Sequence, residues 1–390
     1  MTSHPLRDAA IVGVCNSRQA RLLEEDNSET IALRAALGAV ADAGLTPRDI
    51  DGVIGTGGAT DFIYQNRIGP VWRSMSGAGI PAVLEAASAI AAGFATTVLI
   101  AAGTAGAYTE RAATAPWTRP SHEFVAAFGM FTAAEFALVA RRHMEVYGTT
   151  TESLATVAAT IRNNGHVNPE AVYHGRGPFT PQDILDSRMI ADPFHLLDCA
   201  MTSEGGCALV LARAEVAGDL ANPPVFVLGG STDHYGPAYK NPPSFDLPGR
   251  GDPRLVNGWA GRAAAQRSFA MCGLGPADVD VCEFYDPFSF EIIRQFEAFG
   301  FCAEGEGGEF VLGGTIGEGG RYPVTTDGGL MSFSHAGAQA QMLQRPLRAV
   351  QQLRGECPTR QVEGAEVAMC SGGGAGALFT DVMILGTERP

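Results

Sequence analysis

The sequence predicts an α/β protein built from two copies of one unit, and two pairs of segments carry that prediction. The run Ala43-Gly44-Leu45-Thr46-Pro47-Arg48-Asp49-Ile50-Asp51-Gly52-Val53 returns as Cys272-Gly273-Leu274-Gly275-Pro276-Ala277-Asp278-Val279-Asp280-Val281. In both, a helix ends at Gly, Pro opens a short turn with Asp at matching places, and a strand follows. The apolar run Val98-Leu99-Ile100-Ala101-Ala102-Gly103 is matched by Val367-Ala368-Met369-Cys370-Ser371-Gly372. Both read as buried central strands ending in Gly-rich turns.

The remaining elements follow in order. Each half opens with a strand, Ala9 to Val14 and Val225 to Gly230, and then offers a helix, Ser28 to Ala43 and Trp259 to Met271. Strand–helix–strand–helix–strand, given twice, predicts a duplicated α/β chain with mostly parallel sheets. Pro223 and Pro224 mark the boundary, so the halves are 1–222 and 223–390. An excursion from about Tyr108 to Asp198 interrupts the first half. It holds a helix from Ala133 to Tyr147 and a loop-like stretch, Asn163 to Pro181, rich in Gly, Pro, Asn and His. An insertion of that size near strand ends shapes a substrate pocket or serves packing and subunit contact.

Composition narrows the function classes. The 390 residues are 46% hydrophobic, enough for two sizeable cores. A net charge of −15 without any dense basic run argues against nucleic acid and against an anionic membrane surface. A coenzyme A site needs only a local positive patch and stays open. Met1 to Asp8 lacks the basic-then-apolar pattern of a signal peptide. The apolar run Ile80 to Ala105 carries Pro81, Glu85, Gly93 and Gly103, so it reads as a buried helix and strand and no membrane span is expected. The eight Cys are scattered without a CxxC pair, which fits reduced thiols in a cytoplasm and no metal site.

Several motifs then resemble the thiolase superfamily across the whole chain. Cys370-Ser371-Gly372-Gly373-Gly374-Ala375-Gly376 matches the thiolase CxGGGxG motif. Asp327-Gly328-Gly329-Leu330-Met331-Ser332-Phe333-Ser334-His335-Ala336-Gly337 resembles the segment ending in Gly-His-Pro. Tyr285-Asp286-Pro287-Phe288 falls where thiolases carry Asn-Glu-Ala-Phe and sterol-carrier thiolases His-Asp-Cys-Phe. Ser203-Glu204-Gly205-Gly206-Cys207-Ala208 resembles the stretch that follows the inserted loop domain. The resemblance implies the thiolase fold: two βαβαβαββ halves in a layered αβαβα arrangement with an inserted loop domain. It also implies a homodimer, an acyl-CoA thioester as substrate and no further cofactor.

One departure directs the functional reading. Thiolases hold a nucleophilic Cys just before the helix that here spans about Ala82 to Ala92. Counting back, that position falls on Gly77 with Ser76 beside it, and no Cys lies between Cys15 and Cys199. A Ser lacks the low pKa of a thiolate at a helix N-terminus, so an acyl-enzyme route is disfavoured. The subgroup without this Cys resembles the steroid side-chain-cleaving aldolases, whose motif tyrosine matches Tyr285. These cleave β-hydroxyacyl-CoA thioesters and pair with a small OB-fold, zinc-ribbon protein. Two positions differ from them: Phe333, Ser334 and His335 stand where their second tyrosine follows the Gly-Gly motif, and Pro287 replaces a His.

Retro-aldol cleavage needs a base at the β-hydroxyl, stabilisation of a thioester enolate and a proton to quench it. Tyr285 is the candidate base, with a structural tyrosine at a strand end as the alternative; a phenol with a reference pKa of about 10 needs help from neighbours. His335 is a candidate donor to the thioester oxygen or a proton relay. Cys370 is either an acid/base group or a small residue packed beside the glycine turn. Ser76 and Gly77 offer backbone N–H groups at a helix start, or form a plain turn; Gly373 and Gly374 line the substrate. His166, His174 and His195 fit no metal template, and the Gly-rich run Glu304 to Gly320 lacks the phosphate-loop pattern and reads as a turn-rich insertion. The leading function is a carbon–carbon lyase. An acyltransferase or Claisen-condensing enzyme and a non-catalytic acyl-CoA-binding subunit are the alternatives.

Overall fold

The computed structural model describes residues 4–55, 58–106, 132–234, 260–374 and 379–389. Residues 108–131 of the predicted insertion, the predicted helix start at Trp259, and Ala375 and Gly376 of the glycine motif lie outside the described residues. The first half contains β1 (Ala9–Asn16), α1 (Ser28–Asp42), β2 (Gly52–Ile54), α2 (Gly58–Asn66), β3 (Trp72–Ser74), α3 (Ile80–Ala91) and β4 (Thr97–Thr104). The insertion follows with α4 (Thr132–Tyr147), α5 (Thr151–Val167), α6 (Pro181–Leu185) and the hairpin β5 (Met189–Ala191) and β6 (Phe194–His195). β7 (Gly205–Arg213) and α7 (Ala214–Ala217) close this half. The second half runs through β8 (Val225–His234), α8 (Arg262–Cys272), β9 (Val281–Glu283), α9 (Ser289–Ala298), α10 (Gly307–Leu312), α11 (Gly337–Arg354), β10 (Val367–Gly374) and β11 (Phe379–Gly386).

The repeated segments fold alike for the same local reasons. Gly44 and Gly273 each end a helix with φ 71°, a left-handed position that favours Gly. Asp49 accepts from the Thr46 N–H at 2.7 Å, and Asp278 from the Gly275 N–H at 2.8 Å, closing matching turns. Asp51 then accepts from the Thr97 N–H at 2.8 Å and Asp280 from the Val367 N–H at 3.0 Å. Each second Asp thereby ties its turn to the start of the neighbouring strand.

The main strands form one sheet in the order β3-β2-β4-β7-β1-β8-β11-β10-β9. The order reads as two mirrored copies meeting at the β1–β8 pair, and a parallel bridge Cys282↔Val324 stands beside β9 as β3 stands beside β2. The expected mostly parallel sheet is corrected here. β2 pairs parallel with β3 and β4, and β9 with β10, but β7 and β11 run antiparallel to both of their neighbours. β11 follows β10 after too few residues (375–378) for the crossover a parallel neighbour needs, and β7 repeats that reversal with the insertion placed in its connection.

Side-chain alternation sorts the layers. Ile11, Ile100, Leu209, Met383 and Cys370 point inward to a core shared with α3 and α11. Val12, Leu99 and Val210 point outward beneath α1 and α2. Met369, Val382 and Ile384 face the opposite outer layer of α8 and α9 with the insertion helices. The result is five layers, αβαβα, with α3 and α11 in the middle. Among the described residues no helix is long and apolar enough to cross a membrane.

The expected loop at Asn163–Pro181 begins later than the sequence suggested, because α5 continues to Val167. Tertiary contacts override the polar composition. Asn163 accepts from the Phe179 N–H at 2.7 Å, Asn164 donates to the Val324 and Thr325 carbonyls at 3.2 Å, and Gly165 lets Ser332 approach closely.

Candidate active site

The glycine run at the end of β10 is the floor of the site. Gly372, Gly373 and Gly374 are buried. A methyl group built on Gly373 would lie 3.2 Å from Tyr285 Cδ1, and one on Gly374 only 2.7 Å from the Phe379 ring. Tyr285 follows β9 and is 5% exposed. Its N–H donates to Ser371 Oγ at 2.8 Å and its carbonyl accepts from Gln295 Nε2 at 2.7 Å. The Ser371 hydroxyl donates in turn to Gln295 Oε1. The tyrosine backbone is therefore held from both sides, and its ring lies close against Gly373.

Asp286 connects this turn to the loop that carries His335. It is fully buried and accepts from the Leu330 and Met331 N–H groups at 2.9 and 3.2 Å. Burial pushes its carboxyl up to about 7, against the pull of Arg345. Gly329 has φ 58°, and a methyl there would meet Asp286 Oδ2 at 2.1 Å. His335 is partly buried just before α11, and its N–H donates to Ser203 Oγ at 2.6 Å. Ser203 pairs with Ser334 at 3.0 Å, and Ser334 donates to Gln19 Oε1 at 2.7 Å. Arg162 of the insertion braces the same loop through the carbonyls of Met331, Leu197 and Cys199.

The start of α3 meets the same region. Gly79, the residue before the helix, has φ 116°, and a methyl there would lie 2.8 Å from Met342 Cβ on α11. Met342 Sδ also lies 3.5 Å from the point where a Gly372 methyl would sit. Ser76 and Gly77 form the turn before Gly79, with Gly77 exposed. The Ser76 hydroxyl donates to Glu85 and pairs with Ser74 at 3.1 Å.

Cys370 departs from the expectation of an acid/base thiol. It is fully buried in the inner core, its Sγ reaches only the Arg345 carbonyl at 3.8 Å, and burial raises its pKa well above the ordinary value. That environment fits the packing alternative. All eight cysteines are free. Burial raises every one of them above the ordinary thiol value, including Cys15 in the first half. Among the described residues no group of side chains could hold a metal; His195 instead faces Asp198 at 3.5 Å. Ser371, Gln295 and Asp286 position the site without having been singled out by sequence. Ser371 and Asp286 sit inside motifs already noted, whereas nothing local marks Gln295.

Residues 252–387 match the family described as "Thiolase C-terminal domain-like". The chain is 31% identical over 390 residues to a "Steroid side-chain-cleaving aldolase" of Thermomonospora curvata, covering 92% of this chain and 93% of that one. It is 32% identical over 381 residues to an "Acetyl-CoA acetyltransferase" of Methanothermobacter thermautotrophicus, covering 93% and 95%. The solved structure titled "Ltp2-ChsH2(DUF35) aldolase" superposes with a TM-score of 0.85 at 30% identity, covering 99% of this chain and 100% of that chain.

Proposed function

The chain belongs to the thiolase superfamily, and from that premise we propose that it is a carbon–carbon lyase. Its reaction is retro-aldol cleavage of a β-hydroxyacyl-CoA, such as a thioester on a steroid side chain. The observation that carries this reading is the pairing of Tyr285 with the glycine floor in a chain whose thiols are all raised by burial. A thiolase cycle needs a thiolate, whereas retro-aldol cleavage needs only proton transfer and an enolate site. Likeness to the aldolases supports the same reading.

In the proposed cycle Tyr285 takes the β-hydroxyl proton as the Cα–Cβ bond breaks. The bond electrons pass to the thioester as an enolate, and a carbonyl product leaves. His335 and the Gly77 backbone N–H face the developing oxygen charge, the Ser76 N–H being held by Ser74 Oγ at 3.2 Å. Gly373 and Gly374 leave room for the thioester, and Cys370 packs the core. The chain works as a homodimer in the cytoplasm, and a DUF35-type protein of OB-fold and zinc-ribbon design is its partner, as the relative's title suggests for that complex.

The test compares two variants on one β-hydroxyacyl-CoA. Tyr285→Phe keeps the ring but removes the proton-moving group, so kcat falls by about 10²–10⁴ with little change in KM. Ser76→Ala leaves the rate near wild type. The reverse pattern favours acyl transfer, which the Ser76–Glu85 hydrogen bond and the acetyltransferase relative would then explain.

A further inference from the structure

A glutamine from the first half stands behind the His335 loop and holds both of its sides. Gln19 follows β1, and the segment around it is strapped to the residues that enter β7. The Ser17 N–H donates to the Gly206 carbonyl at 2.9 Å, and Ala20 and Glu204 exchange N–H···O bonds at 3.0 and 2.7 Å. The Gln19 carboxamide is turned by its own donors, with Nε2 2.7 Å from the Ser17 carbonyl and 2.9 Å from that of Gly206. Oε1 accepts from Ser334 Oγ at 2.7 Å and from Gln344 Nε2 at 3.1 Å. Ser334 precedes His335 in the chain, and Gln344 lies on α11, which follows it. Ser334 and Gln344 are fully buried, so neither has water to replace this partner.

The bonds between Gln19 and His335 run in one direction. Gln19 Oε1 can only accept, so the Ser334 hydroxyl proton is committed to it. Ser203 then donates to Ser334 across 3.0 Å, and Ser203 Oγ accepts the His335 N–H at 2.6 Å. Ser203 is itself fully buried and pairs through a parallel bridge with Ala336, on the far side of His335. Space for the carboxamide comes from Gly205, where a methyl would lie 2.0 Å from Gln19 Oε1 and 2.5 Å from its Cδ. A second tie from the same segment ends on the same loop: Arg21 donates to the Tyr173 hydroxyl at 3.2 Å, and the Tyr173 N–H donates to the Ser332 carbonyl at 3.1 Å.

We propose that Gln19 is a positioning residue for His335: one carbonyl oxygen, fixed in direction by two backbone carbonyls of the first half, sets the loop and the helix between which His335 stands. The proposal rests on the lyase reading, in which His335 faces the enolate oxygen. Gln19 touches no reacting atom and acts only through His335. A group misplaced by about 1 Å loses on the order of 10²-fold in rate, and the oxygen charge it meets develops only in the transition state. Loss of Gln19 therefore lowers kcat and leaves KM near wild type.

The experiment uses the full chain and two readouts. The first is a double-mutant cycle on cleavage of one β-hydroxyacyl-CoA. Gln19→Leu lowers kcat by about 10–10² in the wild-type background and by less than about twofold in the His335→Ala background. Gly205→Ala, which pushes the carboxamide aside without removing it, gives the same pattern. Equal losses in both backgrounds overturn the proposal, because a merely structural defect does not need His335. The second readout needs no substrate. It is the NMR signal of the His335 ring in protein carrying isotope-labelled histidine, assigned by its loss in His335→Ala. Gln19→Leu shifts or broadens that signal; a signal and titration unchanged in the folded variant overturn the proposal. A shifted signal beside a wild type that cleaves no β-hydroxyacyl-CoA keeps the hold on His335 and removes the lyase reading. If Gln19→Leu does not fold, Ser334→Ala, which breaks a single link, decides by the same two readouts.

Discussion

Replacing Arg345 with Met tests how the candidate site is supported from behind. Arg345 is fully buried on α11. Its Nη1 lies 3.2 Å from Glu283 Oε2 and 2.9 Å from Asp327 Oδ1, and its Nη2 lies 2.7 Å from Asp327 Oδ2. It also lowers the pKa of Asp286, whose carboxyl seats the His335 loop. Removing the cation leaves these carboxylates buried, with Arg348 reaching them only through Thr326. Breaking a buried pair in this way costs about 3–5 kcal/mol, a large share of the ~5–15 kcal/mol that holds a typical protein folded. The assay is urea unfolding followed by tryptophan fluorescence at pH 8 and pH 5.5. The sign with pH follows from burial, which raises Glu283 and Asp286 to about 7 in the folded chain. Groups whose folded pKa exceeds the unfolded value favour the folded state as pH falls. Loss of Arg345 raises them further, so the deficit is largest at pH 8 and shrinks toward pH 5.5. Arg34→Met is the control: its side chain is 62% exposed beside Asp26, and such a pair is worth about 0–1 kcal/mol. An Arg345→Met protein within ~1 kcal/mol of wild type at pH 8, or a deficit independent of pH, would refute the reasoning.

Two further outcomes are expected. Glu135 on α4 is buried, neither carboxylate oxygen has a hydrogen-bond partner, and burial raises its pKa to about 7. Glu135→Gln should therefore melt higher at pH 8.5, by an amount worth ~1 kcal/mol after discounting for solvent screening, and match wild type near pH 5, where Glu135 is protonated; thermal melts at both pH values check this. Iodoacetamide at neutral pH should leave activity intact, because the only thiol before Cys199 is Cys15 and burial raises its pKa. Residual activity and peptide mapping check that, and rapid inactivation with label on Cys15 would count against it.

The parts legible in the sequence are those whose cause is local. The Gly-Leu-x-Pro-x-Asp repeats announce a helix stop, a turn and a strand because each residue acts on its own neighbours, as the matched φ values of Gly44 and Gly273 show. The reversed direction of β7 and β11 has no such local signature. Nor does the hold on Tyr285, where Ser371 is 86 residues away and Gln295 comes from the following helix.

On the lyase reading, duplication explains why a chain without Cys before α3 need not have an empty site. The fold brings two corresponding helix starts together, α3 behind Gly79 and α11 behind His335, with Met342 packed between the first of them and Gly372. Each start presents the positive end of a helix dipole, whatever side chain precedes it. On that reading, stabilisation of an enolate oxygen belongs to the backbone at these helix starts, so Ser or Gly in place of Cys before α3 leaves it intact. What such a replacement removes is the covalent acyl intermediate, and with it the need for a second reactive thiol. Cys370 then sits fully buried, with burial raising its thiol well above the ordinary value. On this account reintroducing Cys at Ser76 alone would not restore thiolase chemistry, because Cys370 would still be sealed from the acyl group.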